Sequence, residues 1–409
     1  MERTALKQKA EYTHKFNREL GRHGWLRLTP AYSVRIVEEL LDSVDPRARV
    51  LDPFSGTGTT GVCAAFRGHD ARMVDVNPFL VWLGNAKSGR YSEAAVKEAR
   101  AALEEVLARC RAGKDEQAPI PNIHNIFRWW EPCTVAQLAS LRSSIWQSTR
   151  GSESVEIALL VAFCRTLIRV SNAAFNHQSM SFKDSSQSAM FEEDRVLEEF
   201  QSAASQVIDS LAENPSGHCQ VILGDSRNLA SSELGSFDSV ITSPPYPNRM
   251  SYIRELRPYM YWLGYLRQSR EAAELDWQSI GGTWGVATSR LGTWESKDHS
   301  FKPPYLVEIL EAVKAPANGS GHLLANYIEK YFEDMWSHLN SLCKVLDQGA
   351  CVNYVVGNST FYKVLLPVER LFADMFAQLG FWDVQVRALR KRNSKKELVE
   401  FNVSARWGG

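Results

Sequence analysis

The chain has 409 residues, 44% hydrophobic and 23% charged, a balance that excludes a disordered, fibrous or membrane-embedded polypeptide and predicts one large α/β body with an insertion, or two domains sharing a cleft. No apolar run reaches membrane-span length and the opening MERTALKQKAEYTHKF is too polar for a secretory leader, which predicts a cytoplasmic protein. Its 47 basic and 47 acidic residues cancel, so any nucleic acid would have to be met by local patches, while seven scattered cysteines and nine histidines show no metal-ligand spacing.

Residues 32–44 (YSVRIVEELLDSV) have helical spacing, and Asp45-Pro46 stops that helix before the apolar run 49–51. The run feeds into Asp52-Pro53-Phe54-Ser55-Gly56-Thr57-Gly58-Thr59-Thr60, after which GVCAAFRG reads as a helix ended by Gly68. A second strand over 71–74 ends on Asp75, and Pro78 opens another helix. This is a βαβ unit of the doubly wound type, whose ligand is expected beyond the carboxyl ends of the strands. Residues 93–216 then show helical periodicity interrupted by polar breaks, which predicts a mostly helical insertion. Strand signals return at 220–223 and 237–242. Residues 266–320 lack a clear period and predict a loop-rich insert. A helix over 322–346, a strand over 350–356, a helix over 364–379 and two strands around a basic turn from Arg390 to Lys396 follow.

Two constellations carry chemistry. In the first, Gly56 and Gly58 let the backbone approach a ligand, and Asp75, about 20 residues on, can accept the two hydroxyls of a ribose. A phosphate-binding loop needs a Lys after its last Gly, whereas Gly58 and Gly61 are followed by Thr59 and Val62. As a bland alternative, Asp75 caps the next helix. In the second, Ser243-Pro244-Pro245-Tyr246 closes a strand: two prolines hold the chain extended and leave the Ser243 and Pro244 carbonyls to accept hydrogen bonds, Ser243 adds a hydroxyl and Tyr246 a flat face. The alternative is a proline-stopped strand with a packing tyrosine.

Together these residues resemble the S-adenosylmethionine-dependent DNA amino-methyltransferases. Asp52, Pro53, Phe54, Gly56, Gly58, Thr59 and Thr60 match the family's cofactor motif I, and Ser243, Pro244, Pro245 and Tyr246 its catalytic motif IV. Asp75 stands as the ribose-binding acid of motif II, Asp225 and Ser226 as motif III beside the adenine, and Thr29 and Pro30 as a short motif X at the methionine end. The resemblance implies an α/β fold, a Rossmann-like seven-stranded methyltransferase sheet with its last strand antiparallel, to which the periodicity adds a mostly helical inserted domain. Residues 1–92 and 217–409 would form the catalytic domain, 93–216 the helical insertion and target-recognition region, and 266–320 a further DNA contact. It also implies S-adenosylmethionine as methyl donor, double-stranded DNA as partner, extrusion of the target base, and a cognate restriction endonuclease as companion. Serine before Pro-Pro-Tyr points to cytosine N4, with adenine N6 as the alternative. An RNA amino-methyltransferase and an inactive, cofactor-sensing DNA binder are the more distant ones.

Here the first motif precedes the fourth and no separate recognition domain follows the last strand, so phosphate and base contacts must be sought within the body. Arg249, just past motif IV, and Arg387, Arg390, Lys391, Arg392, Lys395 and Lys396 between the last two strands are the expected DNA-binding residues. Further candidates are Arg165, Arg169, Asn172, Asn176, His177 and Lys183 in the insertion, and Trp284, Arg290, Trp294 and Lys297 in the later insert. Pro132-Cys133 looks like the nucleophile of cytosine-C5 methyltransferases but stands outside the fourth-strand position, which implies a structural role. His23 and His177 are expected to be solvated or capping.

Overall fold

A computed structural model describes residues 6–26, 32–113, 119–174, 181–182, 194–232, 234–248, 251–282, 286–297, 301–315, 320–392 and 398–409. Thr29, Pro30, Asn176, His177, Lys183, Arg249, Trp284, Lys395 and Lys396 lie outside the described residues.

The apolar runs read from sequence form one sheet of seven strands: β1 (Arg49–Asp52), β2 (Asp70–Asp75), β3 (His218–Leu223), β4 (Phe237–Thr242), β5 (Leu346–Gly357), β6 (Trp382–Lys391) and β7 (Val399–Arg406). Their spatial order is β6-β7-β5-β4-β1-β2-β3. β1 pairs in parallel with β2 and β4, β2 with β3, and β4 with β5. β7 runs antiparallel to both β5 and β6, so six strands share one direction and β7 opposes them. This is the Rossmann-like seven-stranded sheet implied by the resemblance, and all six parallel strands present their carboxyl ends at one edge.

Helices cover both faces. On one side Gly321–Leu342 and Val368–Gln378 bury Ile328, Phe332, Met335, Leu371 and Phe372 against Val240, Val352 and Tyr354 of the sheet. On the other side lie Thr59–Phe66 and Pro78–Ser88, and beyond them the insertion. Its helices Glu93–Ala112, Pro132–Ser148, Glu153–Arg169 and Arg195–Ser210 pack around Leu103, Leu138, Phe163 and Phe200. Glu153–Arg169 is the central one, buried all round from Ala158 to Cys164, and the Ser92 hydroxyl caps Glu93–Ala112 by accepting from Ala95 N–H at 3.1 Å. The helix Tyr252–Trp262, which follows Ser243-Pro244-Pro245-Tyr246, joins the same cluster through Ile253, Leu256, Met260 and Trp262. Trp262 meets Trp130 and Phe163 edge-on at 6.0 and 5.7 Å. The insertion is thus packed directly onto the helix that leaves the candidate catalytic motif.

Residues 266–320, expected to be loop-rich, contain helices Ser269–Gln278, Val286–Leu291 and Pro304–Lys314. The first is fixed by a capping box between Gln268 and Glu271, and the last begins after Pro303 with Pro304 in its first turn. Among the described residues no helix is long and apolar enough to cross a membrane, and no group of three or more His, Cys, Asp or Glu is arranged to hold a metal ion.

Candidate active site

At the carboxyl edge of the sheet a cleft of about 690 Å³ joins the ends of β1, β2, β3 and β4 to the hairpin Ser359–Phe361/Val364–Leu366 and the β6–β7 connection. One half is built by the glycine turn. Asp52, fully buried at the end of β1, accepts from Phe54 N–H at 3.0 Å and from the Thr242 hydroxyl at 2.6 Å, which ties the ends of β1 and β4 together. Burial pushes its carboxyl up to about 6. Gly58 takes φ 81° at the start of Thr59–Phe66, a left-handed conformation that a side chain would resist. Asp75, half-buried at the end of β2, accepts from Gly56 N–H and from Asn77 N–H, each at 2.8 Å. These bonds leave the carboxylate with further capacity to accept, on a side chain that lines the cleft. Removal from water pushes this carboxyl up to about 7, against backbone bonds from Asn77, Gly56 and Val76. Beneath the turn the buried Lys87 ammonium donates to the Thr57 carbonyl at 3.1 Å, and burial brings its pKa down to about 7.

The other half is built by Ser243-Pro244-Pro245-Tyr246, all lining the cleft. The Ser243 hydroxyl donates to the Val355 carbonyl of β5 at 3.0 Å, so its proton points to the sheet and its lone pairs remain as acceptors. Tyr331 donates its hydroxyl to the Pro245 carbonyl at 2.8 Å. Tyr246 N–H donates to the Tyr252 hydroxyl oxygen at 2.9 Å, and the Tyr246 hydroxyl donates to Glu400 Oε1, also at 2.9 Å. Glu400 is in turn bound by Arg390, whose Nε lies 2.8 Å from Oε2, and the Arg392 guanidinium lies over the Tyr246 ring with its Cζ 4.9 Å from the centroid. Burial, then the neighbouring Glu400 charge, holds the Tyr246 phenol well above its usual pKa.

Asp225 and Ser226 also line the cleft. Burial alone would raise the Asp225 carboxyl, but the bonds and charge of Arg227 outweigh it and hold the group below the usual range. Arg227 also reaches Asp334 at 2.8 Å and the Gln278 carbonyl at 2.7 Å. The Ser226 carbonyl contacts His338 Nδ1 at 2.9 Å, and His338 Nε2 lies 2.6 Å from the Tyr354 hydroxyl. Since a carbonyl only accepts, Nδ1 carries the proton and Nε2 accepts from Tyr354. Burial keeps this ring neutral, with its pKa down to about 4. Phe54 packs edge-on against it at 4.7 Å.

Of the expected cofactor residues, Pro53, Phe54, Gly56, Thr59, Asp75, Asp225 and Ser226 line the cleft. Asp52, Gly58 and Thr60 support it from below: the Thr60 hydroxyl donates to the Ile241 carbonyl at 3.1 Å and meets Tyr32, a cleft residue not singled out from sequence. The basic segment needs correction. Arg387, Arg390 and Lys391 belong to β6 and not to a solvated turn, because β6 continues through Lys391. Arg390 and Arg392 line the cleft, bound to Glu400 and to the Asn358 carbonyl, whereas Arg387 is exposed. Within the insertion Arg165 bonds Gln206, Arg169 pairs with Glu199 and Asn172 with Glu131; in the later insert Arg290 pairs with Glu274, and Glu333 accepts from Lys297 N–H. Cys133 is exposed near the start of Pro132–Ser148, away from the end of β4. His23 is neither solvated nor capping: it is partly buried, with Nε2 3.7 Å from Cys63 Sγ. Glu400, Tyr331 and His338 were not singled out either; only Glu400, an acid inside the apolar run LVEFNVSA, leaves a trace in the sequence.

No family model matches the chain. It is 21% identical to the type II methyltransferase M.MvaI of Kocuria varians, over 83% of this chain and 76% of that protein. It is also 21% identical to the type II methyltransferase M.BsoBI of Geobacillus stearothermophilus, over 96% of this chain and 87% of that protein. Solved structures similar to it include TrmN from Thermus thermophilus (TM-score 0.31, 10% identity, 96% of this chain and 53% of that chain). Another is the rRNA methyltransferase aviRa from Streptomyces viridochromogenes (TM-score 0.29, 13% identity, 92% of this chain and 86% of that chain). The similarity to methyltransferases over most of the chain supports an enzyme that transfers methyl groups, and with it S-adenosylmethionine as donor.

Proposed function

We propose that this chain methylates the N4 amine of cytosine in duplex DNA, with S-adenosylmethionine as donor, as the modification partner of a restriction endonuclease. The observation that carries this reading is the meeting, in one cleft at the carboxyl edge of the sheet, of the glycine turn and Asp75 with Ser243-Pro244-Pro245-Tyr246. The donor set fits the nucleoside: further accepting capacity on the Asp75 carboxylate for ribose hydroxyls, Phe54 and Ile280 as apolar walls, and a volume within the usual 300–1,000 Å³ of ligand sites. When bound, S-adenosylmethionine supplies an electrophilic methyl group on a sulfonium.

The chain's own task is to bring an amine to that methyl and keep water away. An exocyclic amine is paired inside a duplex, so the base must leave the stack, at a cost of a few kcal/mol that the pocket has to return. Tyr246 offers the stacking face, and the Ser243 hydroxyl oxygen and Pro244 carbonyl take the amine protons, which turns its lone pair outward. Rate then comes from positioning in a desolvated cleft, without a covalent enzyme intermediate. The type II methyltransferase relatives support duplex DNA as the polymer, and the helical insertion, packed on Tyr252–Trp262, is the proposed target reader. Mass spectrometry of nucleosides from plasmid DNA incubated with the protein and S-adenosylmethionine tests this: N4-methylcytosine is expected. N6-methyladenine alone would overturn the base assignment, and no methylated nucleoside would overturn the reading.

A further inference from the structure

We propose that Glu400 and Arg392, both from the β6–β7 pair, are positioning residues that hold the Tyr246 ring as a one-faced platform for the extruded base; this rests on the base-methylation reading above. Besides the Ser243 hydroxyl, 3.4 Å from its own, Tyr246 is held at four places. Its backbone N–H is bound by Tyr252 and its hydroxyl by Glu400, each at 2.9 Å. One face is covered by Arg392, whose Nη1 donates to the Asn358 carbonyl at 2.8 Å. Its edge abuts Gly357, where a Cβ would fall 2.9 and 3.0 Å from Tyr246 Cε2 and Cδ2 and 2.7 Å from Arg392 Nη1.

Glu400 is only 4% exposed and bound through both oxygens by Arg390, at 2.8 and 3.3 Å. An enclosed ion pair seldom stabilises a fold more than apolar packing would, so its place behind a cleft tyrosine fits orientation better than stability. A tyrosine rigidly seated before the base arrives loses no side-chain freedom on stacking. With the guanidinium on one face, the base is directed to the other.

The test first locates the modified positions by sequencing plasmid DNA methylated by the parent protein, then measures single-turnover methylation of a duplex containing that sequence, with the target base either correctly paired or opposite a mismatch. A mismatched base leaves the stack more readily, so it bypasses a defect in capturing the base but not a general loss of structure. Tyr246→Phe, Glu400→Gln and Arg392→Met are each expected to slow the paired substrate tenfold or more and the mismatched one threefold or less. S-adenosylmethionine affinity should stay at the parent value. Equal loss on both substrates, or no loss, overturns the proposal while the parent enzyme remains a DNA methyltransferase. A parent inactive on both overturns the base-methylation reading and this proposal with it. If Glu400→Gln does not fold, Tyr246→Phe removes the same hydrogen bond from the other side.

Discussion

At the scale of single residues, Asp75 joins the two requirements of a nucleoside site, a fixed direction and a negative charge. In the proposed site its carboxylate would take ribose hydroxyls in charge-assisted bonds of about 1.5–3 kcal/mol each. Asp75→Ala should therefore weaken S-adenosylmethionine binding at least tenfold in a protein that stays folded, as read by calorimetry; unchanged affinity would remove Asp75 from the site. Its raised pKa adds a pH dependence. Between about pH 4, where an unfolded carboxylate titrates, and about pH 7 the folded chain holds the proton that the unfolded chain has lost, so this group's contribution to stability falls as pH rises. Cofactor binding calls for the ionised form, so affinity should climb as pH rises through 7, with proton release visible in buffers of different ionisation enthalpy. Asp75→Asn should abolish that release. Ser243→Ala should slow single-turnover chemistry more than it weakens cofactor binding, and Tyr246→Ala more still, since stacking on a base is worth about 1–3 kcal/mol. Parental rates in both would exclude them from the site. Asp75, Ser243 and Tyr246 were legible because each closes a strand or forms part of a contiguous motif. Glu400 acts on a tyrosine 154 positions away, a pairing that local sequence cannot express.

At the scale of elements, strands read well and short helices poorly. The chain 237–242 is a strand as expected, because its apolar run is bounded by a polar turn and by Ser-Pro-Pro. In 266–320 the helical spacing of Leu306, Leu310 and Val313 is masked by the irregular, Gly- and Trp-bearing stretch before it, while Ser269–Gln278 is mostly polar and Val286–Leu291 only six residues long. Val286–Leu291 and Pro304–Lys314 are held by packing on Gly321–Leu342. Residues 364–366, expected to begin the helix over 364–379, instead form one strand of the hairpin Ser359–Phe361/Val364–Leu366, and the helix starts only at Val368. Tyr362 and Lys363 turn the hairpin at φ 47° and 69°, positions where Gly or Asn is the usual signal. One substitution probes how closely β5 fits the cleft. Gly357→Ala forces its methyl against the pinned Tyr246 ring, an overpacking that costs about 1–3 kcal/mol. Urea unfolding should show that loss together with slower single-turnover chemistry; a variant with parental stability and rate would show that the ring yields freely. His338 joins β5 to Ser226: His338→Leu strands the Ser226 carbonyl and the Tyr354 hydroxyl, at about 1–3 kcal/mol each, with less effect on the Tyr246 half of the cleft.

Across the whole molecule, the proposed DNA substrate would have to be held by a neutral chain with few free cations, and those of the β6–β7 pair divide by role. Arg390 and Arg392 are spent on Glu400, Tyr246 and Asn358, whereas Arg387 is exposed and Lys391 partly so. Each phosphate neutralised adds about 0.9 to the slope of log affinity against log salt, so Arg387→Ala with Lys391→Ala should flatten that slope by up to about 2 while leaving cofactor affinity intact. A parental slope would move the search for phosphate contacts to the insertion. The position of β7 has a consequence for the order of assembly. It is last in sequence yet lies between β5 and β6, and antiparallel to both. The cofactor half of the cleft rests on β1 and β2, which are neighbours in the chain, whereas the wall behind Tyr246 closes only when the final strand enters a gap prepared by its predecessors. In pulse-labelled hydrogen exchange during refolding, the amides of β1 and β2 should gain protection before those of β6 and β7, so the protein would acquire its donor site before it can grip a base.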